Sequence, residues 1–314
     1  MNLMSKHISR RLLWLACPLG VALVCAALRN WQLGSAFEEG TGLAVPGAQA
    51  SVILTCVLVM SAAWFTIVAI YQPLPKRPAG PAKRWDLVFL GAEDPVYPVL
   101  VIVAAFLALA AAPFLLKTGI GQWQTYREAL AAKAKNPSVQ LPSNNGMLTI
   151  ATAVGALLSF LGLFQMGRDG LNAGRRGKGG FSATLPGIAG CIWLMESFRA
   201  HAANPVQWDY APLLLAIVCG MLLYMDFAGM STGASRPRRL LWVAAMTLVI
   251  SAPAQVSALA EGTAADMLLL GAQAMTAIAV LWRLPPNLEN PSALKRTLTP
   301  RPGEASIQEE TTDE

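Results

Sequence analysis

Glu196, Arg199 and Asp226 are ionisable side chains inside or at the end of otherwise apolar stretches of this chain. A charge in hydrocarbon is costly, so such residues are the first place to look for a solute pathway. Glu196 and Arg199 are spaced to share one helix face, as an ion pair or as part of a polar path, and Asp226 stands near the end of another stretch. A plain structural role also fits, because side chains near stretch ends reach the interface and a Glu–Arg pair neutralises itself. Gln165, Gln255 and Gln273 are amides within apolar stretches, where such groups commonly hydrogen-bond between helices and glue a bundle together. Glu196, Arg199, Asp226, Gln255 and Gln273 therefore form the candidate intramembrane polar site.

Other chemistries fail on spacing. His7 and His201 fall on opposite sides of the membrane in the topology derived below, and no two carboxylates share a helix face inside an apolar stretch. General acid and base work has no visible pair. Cys17, Cys25, Cys56, Cys191 and Cys219 all lie in apolar stretches without metal-ligand spacing, which predicts neither disulfides nor a metal site. The run Gly174, Arg175, Arg176, Gly177, Lys178, Gly179, Gly180 looks superficially like a phosphate loop. It lacks the Walker spacing, has no Ser or Thr directly after Lys178, and follows an apolar span rather than a strand. A basic loop against anionic headgroups accounts for it. No cofactor is predicted, and catalysis is not expected.

The elements that would position these residues are membrane helices. Hydrophobic residues make up 54% of the chain and charged residues only 13%, about half the charged share of a soluble domain. Crossing about 30 Å of hydrocarbon takes roughly 20 apolar residues as a helix. Eight stretches qualify: Leu12 to Leu28, Val52 to Tyr71, Val96 to Leu116, Met147 to Met166, Phe181 to Phe198, Tyr210 to Met230, Leu240 to Ala260 and Asp266 to Leu284, the fifth being the weakest. With the N-terminus inside, all but six of the 24 Lys and Arg fall in cytoplasmic segments. The exceptions are Arg29, Lys117, Arg127, Lys133, Lys135 and Arg199. This bias predicts an all-α polytopic bundle with both termini cytoplasmic, residues 1–284 forming the transmembrane domain and 285–314 a disordered, Pro- and Glu-rich tail. It also explains the excess of basic residues without nucleic acid.

Four finer features bear on function. Met1 to Leu28 also has the basic start and apolar middle of a secretory signal, with Cys25, Ala26 and Ala27 small enough for cleavage, but the later spans keep a consistent charge bias only if the first is inserted. In the third connection Trp123, Tyr126 and Leu130 share one helix face, which predicts an amphipathic helix at the surface ended by Pro137. Ala104, Ala105, Ala112 and Pro113 in the third span match Ala244, Ala245, Ala252 and Pro253 in the seventh, which raises a parallel four-plus-four duplication of the kind transporters use. Pro113 and Pro253 could each make a kink, a hinge or a break that coordinates an ion.

Arg29, Asn30, Trp31, Gln32 and Leu33, followed by Phe37 and the turn Thr41, Gly42, Leu43, resemble a loop pattern of uncharacterised multi-span bacterial membrane proteins. The resemblance implies a bacterial inner-membrane setting and assigns no site residue. Packing residues and interfacial aromatics without a visible polar core lead to the expectation of a non-enzymatic interaction or assembly component, with lipid, other membrane proteins or itself as partners. The rival expectation, from the span count, the duplication and the mid-span prolines, is a small-solute transporter or permease.

Overall fold

A computed structural model describes residues 3–38, 43–72, 95–136, 138, 140–142, 145–171, 182–202, 206–232 and 236–289. The glycine-rich basic loop, most of the acidic tail and Pro137 lie outside the described residues. Among the described residues eight helices follow one another: α1 Leu3–Ser35, α2 Gln49–Tyr71, α3 Val96–Lys135, α4 Gly146–Leu171, α5 Thr184–His201, α6 Gln207–Thr232, α7 Pro237–Glu261 and α8 Ala264–Glu289. Seven of them are long and apolar enough to cross a membrane, and the chain is a multi-pass helical membrane protein.

The exception is α5, with 18 residues. At 1.5 Å per residue it is about 27 Å long, close to the depth of a bilayer core. Its neighbours show that it packs along α4 for most of that length. A Cβ on Gly162 of α4 would meet Ser182 O at 2.5 Å and Pro186 Cδ at 2.8 Å, and one on Gly155 would meet Ala189 at 3.2 Å. Further along, Thr149 bonds Glu196. These pairs descend α4 as they ascend α5, so the two are antiparallel. The glycines at these crossings let the backbones approach in the way membrane helices use in place of a hydrophobic drive. The same holds between α6 and α5, where Gly187 faces Met225 and Gly190 faces Met221.

Two of the four finer expectations change. The amphipathic segment after the third span is not a separate surface helix, because α3 continues through it without a break for 40 residues, about 60 Å. Gly146 stops against the backbone of Trp123 and Gly119, so the last turns of α3, from Gln124 on, extend past the start of α4. The helix pairing of α1 to α4 is also not repeated by α5 to α8: α6 packs closely on α7, whereas α2 and α3 form no comparable pair. Helix continues through both Pro113 and Pro253.

The packing forms two units. Helices α3, α4, α5, α6 and α8 close into a ring, each touching the next, with α6 meeting α8 only lightly. Helix α7 packs outside that ring on α6 and α8 and is covered on its other side by α1 and α2. It begins with Pro237 after an extended Arg236 and ends at Gly262, whose left-handed backbone (φ 72°) lets its N–H cap the carbonyls of Ala258 and Leu259. Only Gly262 and Thr263 separate it from α8, so the pair forms a tight hairpin. α1 is built into this unit, with Trp14 and Cys25 buried, and cleavage near Cys25 would remove both from the core.

Candidate functional site

All the connections alternate, so one end of the bundle gathers the C-terminal turns of α1, α5 and α7 and the N-terminal turns of α6 and α8. Arg29 is the hub there. It is fully buried, and its guanidinium donates to Ser257 Oγ on α7 (2.9 Å), Gln32 Oε1 on its own helix (2.7 Å) and the Asp209 carbonyl on α6 (2.9 Å). Gln32 passes its own amide N–H to Ser51 Oγ of α2 at 2.8 Å. The Asp209 carbonyl lies three residues before Pro212, which cannot donate to the carbonyl of residue 208 and so loosens this first turn. The Phe37 ring sits 6.0 Å from the Arg29 guanidinium, held by the antiparallel bridge to Ala44. The connection between α1 and α2 thus carries a short paired segment. A buried Arg is tolerable only when its protons are matched this way, and here the matching ties four helices.

Carboxylates gather at the same end. Thr149 Oγ1 lies 3.0 Å from Glu196 Oε1 and 3.1 Å from Gln122 Oε1, and Trp193 Nε1 donates to Asp266 Oδ1 at 3.0 Å. Glu196 feels the charge of Asp266, and Glu261 those of Asp209 and Asp266. The His201 imidazole stacks on Tyr210 with centroids 5.2 Å apart and lies near enough to act on Glu196, Glu261 and Asp266. The carboxylates come from α5, α7 and α8, a convergence that no single helix face could reveal. Among the described residues no three His, Cys, Asp or Glu side chains are placed to share a metal ion.

About one turn deeper, inside the five-helix ring, lies a cavity of about 30 Å³. Small residues leave the space: Ala108, Ala156, Ala189, Gly190 and Ala272. Thr152, Ser159, Trp193, Tyr224 and Gln273 supply its polar and aromatic lining. A water occupies some 10–15 Å³ on this measure, so the space suits about two water-sized groups. Gln273 is 4% exposed and its Oε1 has no hydrogen-bond partner. Gly220 of α6 makes room for it, since a Cβ there would collide with the Gln273 amide.

The predicted site residues fare unequally. Glu196 belongs to the carboxylate cluster and Gln273 to the cavity. Arg199 does not pair with Glu196, which corrects the expected ion pair: Arg199 is exposed, and the carboxylate takes Thr149 from α4 instead. Asp226 lies at the opposite end, where Arg239 Nε of α7 approaches its Oδ2 to 3.0 Å, a tie between helices rather than a pathway group. Gln255 is half-buried on α7, outside the ring. Gln165 donates to Asp169 Oδ1 on its own helix (2.8 Å), so it does not bridge helices as expected. Missed altogether were Arg29, Ser159, Trp193, Tyr224 and Asp266. Arg29 had a signal, as one of the few cations on the side where the charge rule disfavours them.

No family model, curated protein or solved structure matches this chain.

Proposed function

We propose that this is a non-enzymatic membrane protein that binds and passes a small polar solute, a permease in class. The observation that carries this reading is the cavity at mid-depth of the five-helix ring, with the unpartnered Gln273 Oε1 in its wall and a cluster of carboxylates one turn above. Vesicles reconstituted with the full-length protein should equilibrate at least one of urea, glycerol or ammonium faster than empty vesicles, followed by stopped-flow light scattering. No acceleration for any of the three would defeat the reading.

An interaction or assembly role is the second reading, favoured by the α3 projection. From Gln124 to Lys135 this helix is mostly exposed, with Leu130 49% exposed on it. Lipid, other membrane proteins or a second copy are its candidate partners. Crosslinking from cysteines placed along that projection should capture a partner in membranes, and a clean monomer throughout would count against it. For location we propose a bacterial inner membrane with both termini cytoplasmic, supported by the basic bias of alternate connections. A cysteine replacing Lys178 in a cysteine-free background should resist an impermeant reagent added to intact cells, and labelling would reverse the orientation.

A further inference from the structure

The hydroxyl and indole protons at the cavity are already committed, so its hydroxyl oxygens act as hydrogen-bond acceptors. Thr152 Oγ1 donates to Leu148 O at 3.0 Å and Ser159 Oγ to Gly155 O at 2.9 Å, each one turn back on α4. Thr276 Oγ1 donates to Ala272 O at 2.9 Å, which directs the Tyr224 hydroxyl proton toward Thr276, at a long 3.5 Å. Trp193 gives its indole N–H to Asp266. The hydroxyl oxygens keep lone pairs, and the Gln273 amide holds two N–H donors beside its unpartnered Oε1, so a half-turn about its last bond decides which of the two faces the cavity. Such a lining leaves unanswered acceptors, and a guest that supplies N–H protons answers them.

Charge and shape narrow the guest further. The indole of Trp193 and the ring of Tyr224 both border the cavity, and aromatic faces attract cations, the more so when desolvated. Glu196 and Asp266 stand about one turn from the cavity toward one end of the bundle, and carboxylates there would raise the local concentration of cations. The volume admits a group the size of one or two waters, too small for an amino acid or a sugar. We infer that the cavity binds an ammonium-class cation no larger than methylammonium, entering from the end that carries Arg29, Glu196 and Asp266. Unlike an alkali ion, which asks for a full shell of oxygens, ammonium is satisfied by a few directed acceptors and π faces.

This inference rests on the solute-binding reading above, and one binding experiment separates the two. Full-length protein in detergent is titrated with ammonium or methylammonium chloride at constant ionic strength, alongside sodium, potassium and urea, while its thermal midpoint is read; a ligand of the folded state raises it by mass action. Ammonium and methylammonium should give a saturable rise that sodium, potassium and urea do not. Ser159→Ala and Gln273→Leu should each weaken the apparent affinity at least tenfold, and a cooperative transition without ammonium shows that each variant folds. A saturable rise with urea that Gln273→Leu abolishes would overturn the cation assignment and leave the solute-binding reading standing. An equal rise with potassium would make this a general monovalent-cation site and overturn the ammonium assignment. No saturable response to any probe would bring down both.

Discussion

The unit around α7 and the five-helix ring belong to one chain of apolar helices, yet they treat buried polarity in opposite ways. Around α7 the long polar side chains are matched across helices: Arg29 to Ser257, Trp14 Nε1 to Gln72 Oε1 at 3.0 Å, Arg238 to the Gln72 carbonyl at 2.9 Å, and Trp242 Nε1 to the Ala62 carbonyl at 3.2 Å. The span of α7 is 72% buried against 22% for α2, as expected of a central post. In the ring, backbones approach on glycine and alanine, while Asn145 Oδ1, Asp169 Oδ2 and Gln273 Oε1 are buried without partners. Ser251 Oγ is the one such atom of the α7 unit among the described residues. A matched polar network fixes helices in one arrangement, and an unmatched one stores the capacity to bind. One unit reads as a frame and the other as the working part.

The strongest way to break this contrast is to remove the hub of the frame. Arg29→Ala should cost roughly 3 kcal/mol, because it strands Ser257, Gln32 and the Asp209 carbonyl in a buried place. The thermal midpoint in detergent should fall sharply. A change within error would mean that the network is incidental and the frame is held by apolar packing alone.

Next comes overpacking in the ring. Gly162→Ala pushes a Cβ against the Ser182 carbonyl and the Pro186 ring, neither of which can swing aside, so about 2 kcal/mol of stability should be lost. A neutral outcome would show that α4 and α5 are loosely held. In the carboxylate cluster, Thr149→Val should cost about 1 kcal/mol through Glu196, and a double-mutant cycle between Thr149 and Glu196 should show coupling. The cycle between Glu196 and Arg199 should show none, with Arg199→Gln alone changing stability by under about 0.5 kcal/mol. Coupling in the second cycle and not the first would restore the ion pair of the sequence reading.

The smallest effect on stability is expected at Gly220. An added Cβ collides with the Gln273 amide, the movable end of a flexible side chain, and Ala favours the helix over Gly by about 1 kcal/mol. Gly220→Ala should therefore leave the thermal midpoint nearly unchanged while it displaces Gln273 and weakens ammonium binding. A large loss of stability would show that Gln273 is a structural strut and would sharpen the comparison against the ring as a working site.

The chain by itself determined its solvent and its helices. Apolar runs of bilayer length can satisfy their backbone only as helices in lipid, so the eight elements and their class were legible from composition and length alone. Boundaries slipped where polarity and helix part company. α3 runs to Lys135 because Gln, Glu, Lys and Ala are good helix formers without any lipid, and α8 runs to Glu289, past the proline pair where the span was expected to end. The polar site was legible only by halves. Glu196 and Gln273 stand out because a polar group in an apolar run is conspicuous, whereas Thr149, Ser159, Trp193 and Tyr224 look ordinary in any membrane helix. What a side chain faces depends on which helices become neighbours, and that is settled by glycine contacts and by partners as far apart in sequence as Arg29 and Ser257. The spacing of Glu196 and Arg199 suggested a pair within one helix. The fold placed a threonine from α4 beside the carboxylate and left the arginine in the open, because a partner across a close helix crossing is held by the packing of both backbones, while a partner along one helix is held only by its own flexible side chain.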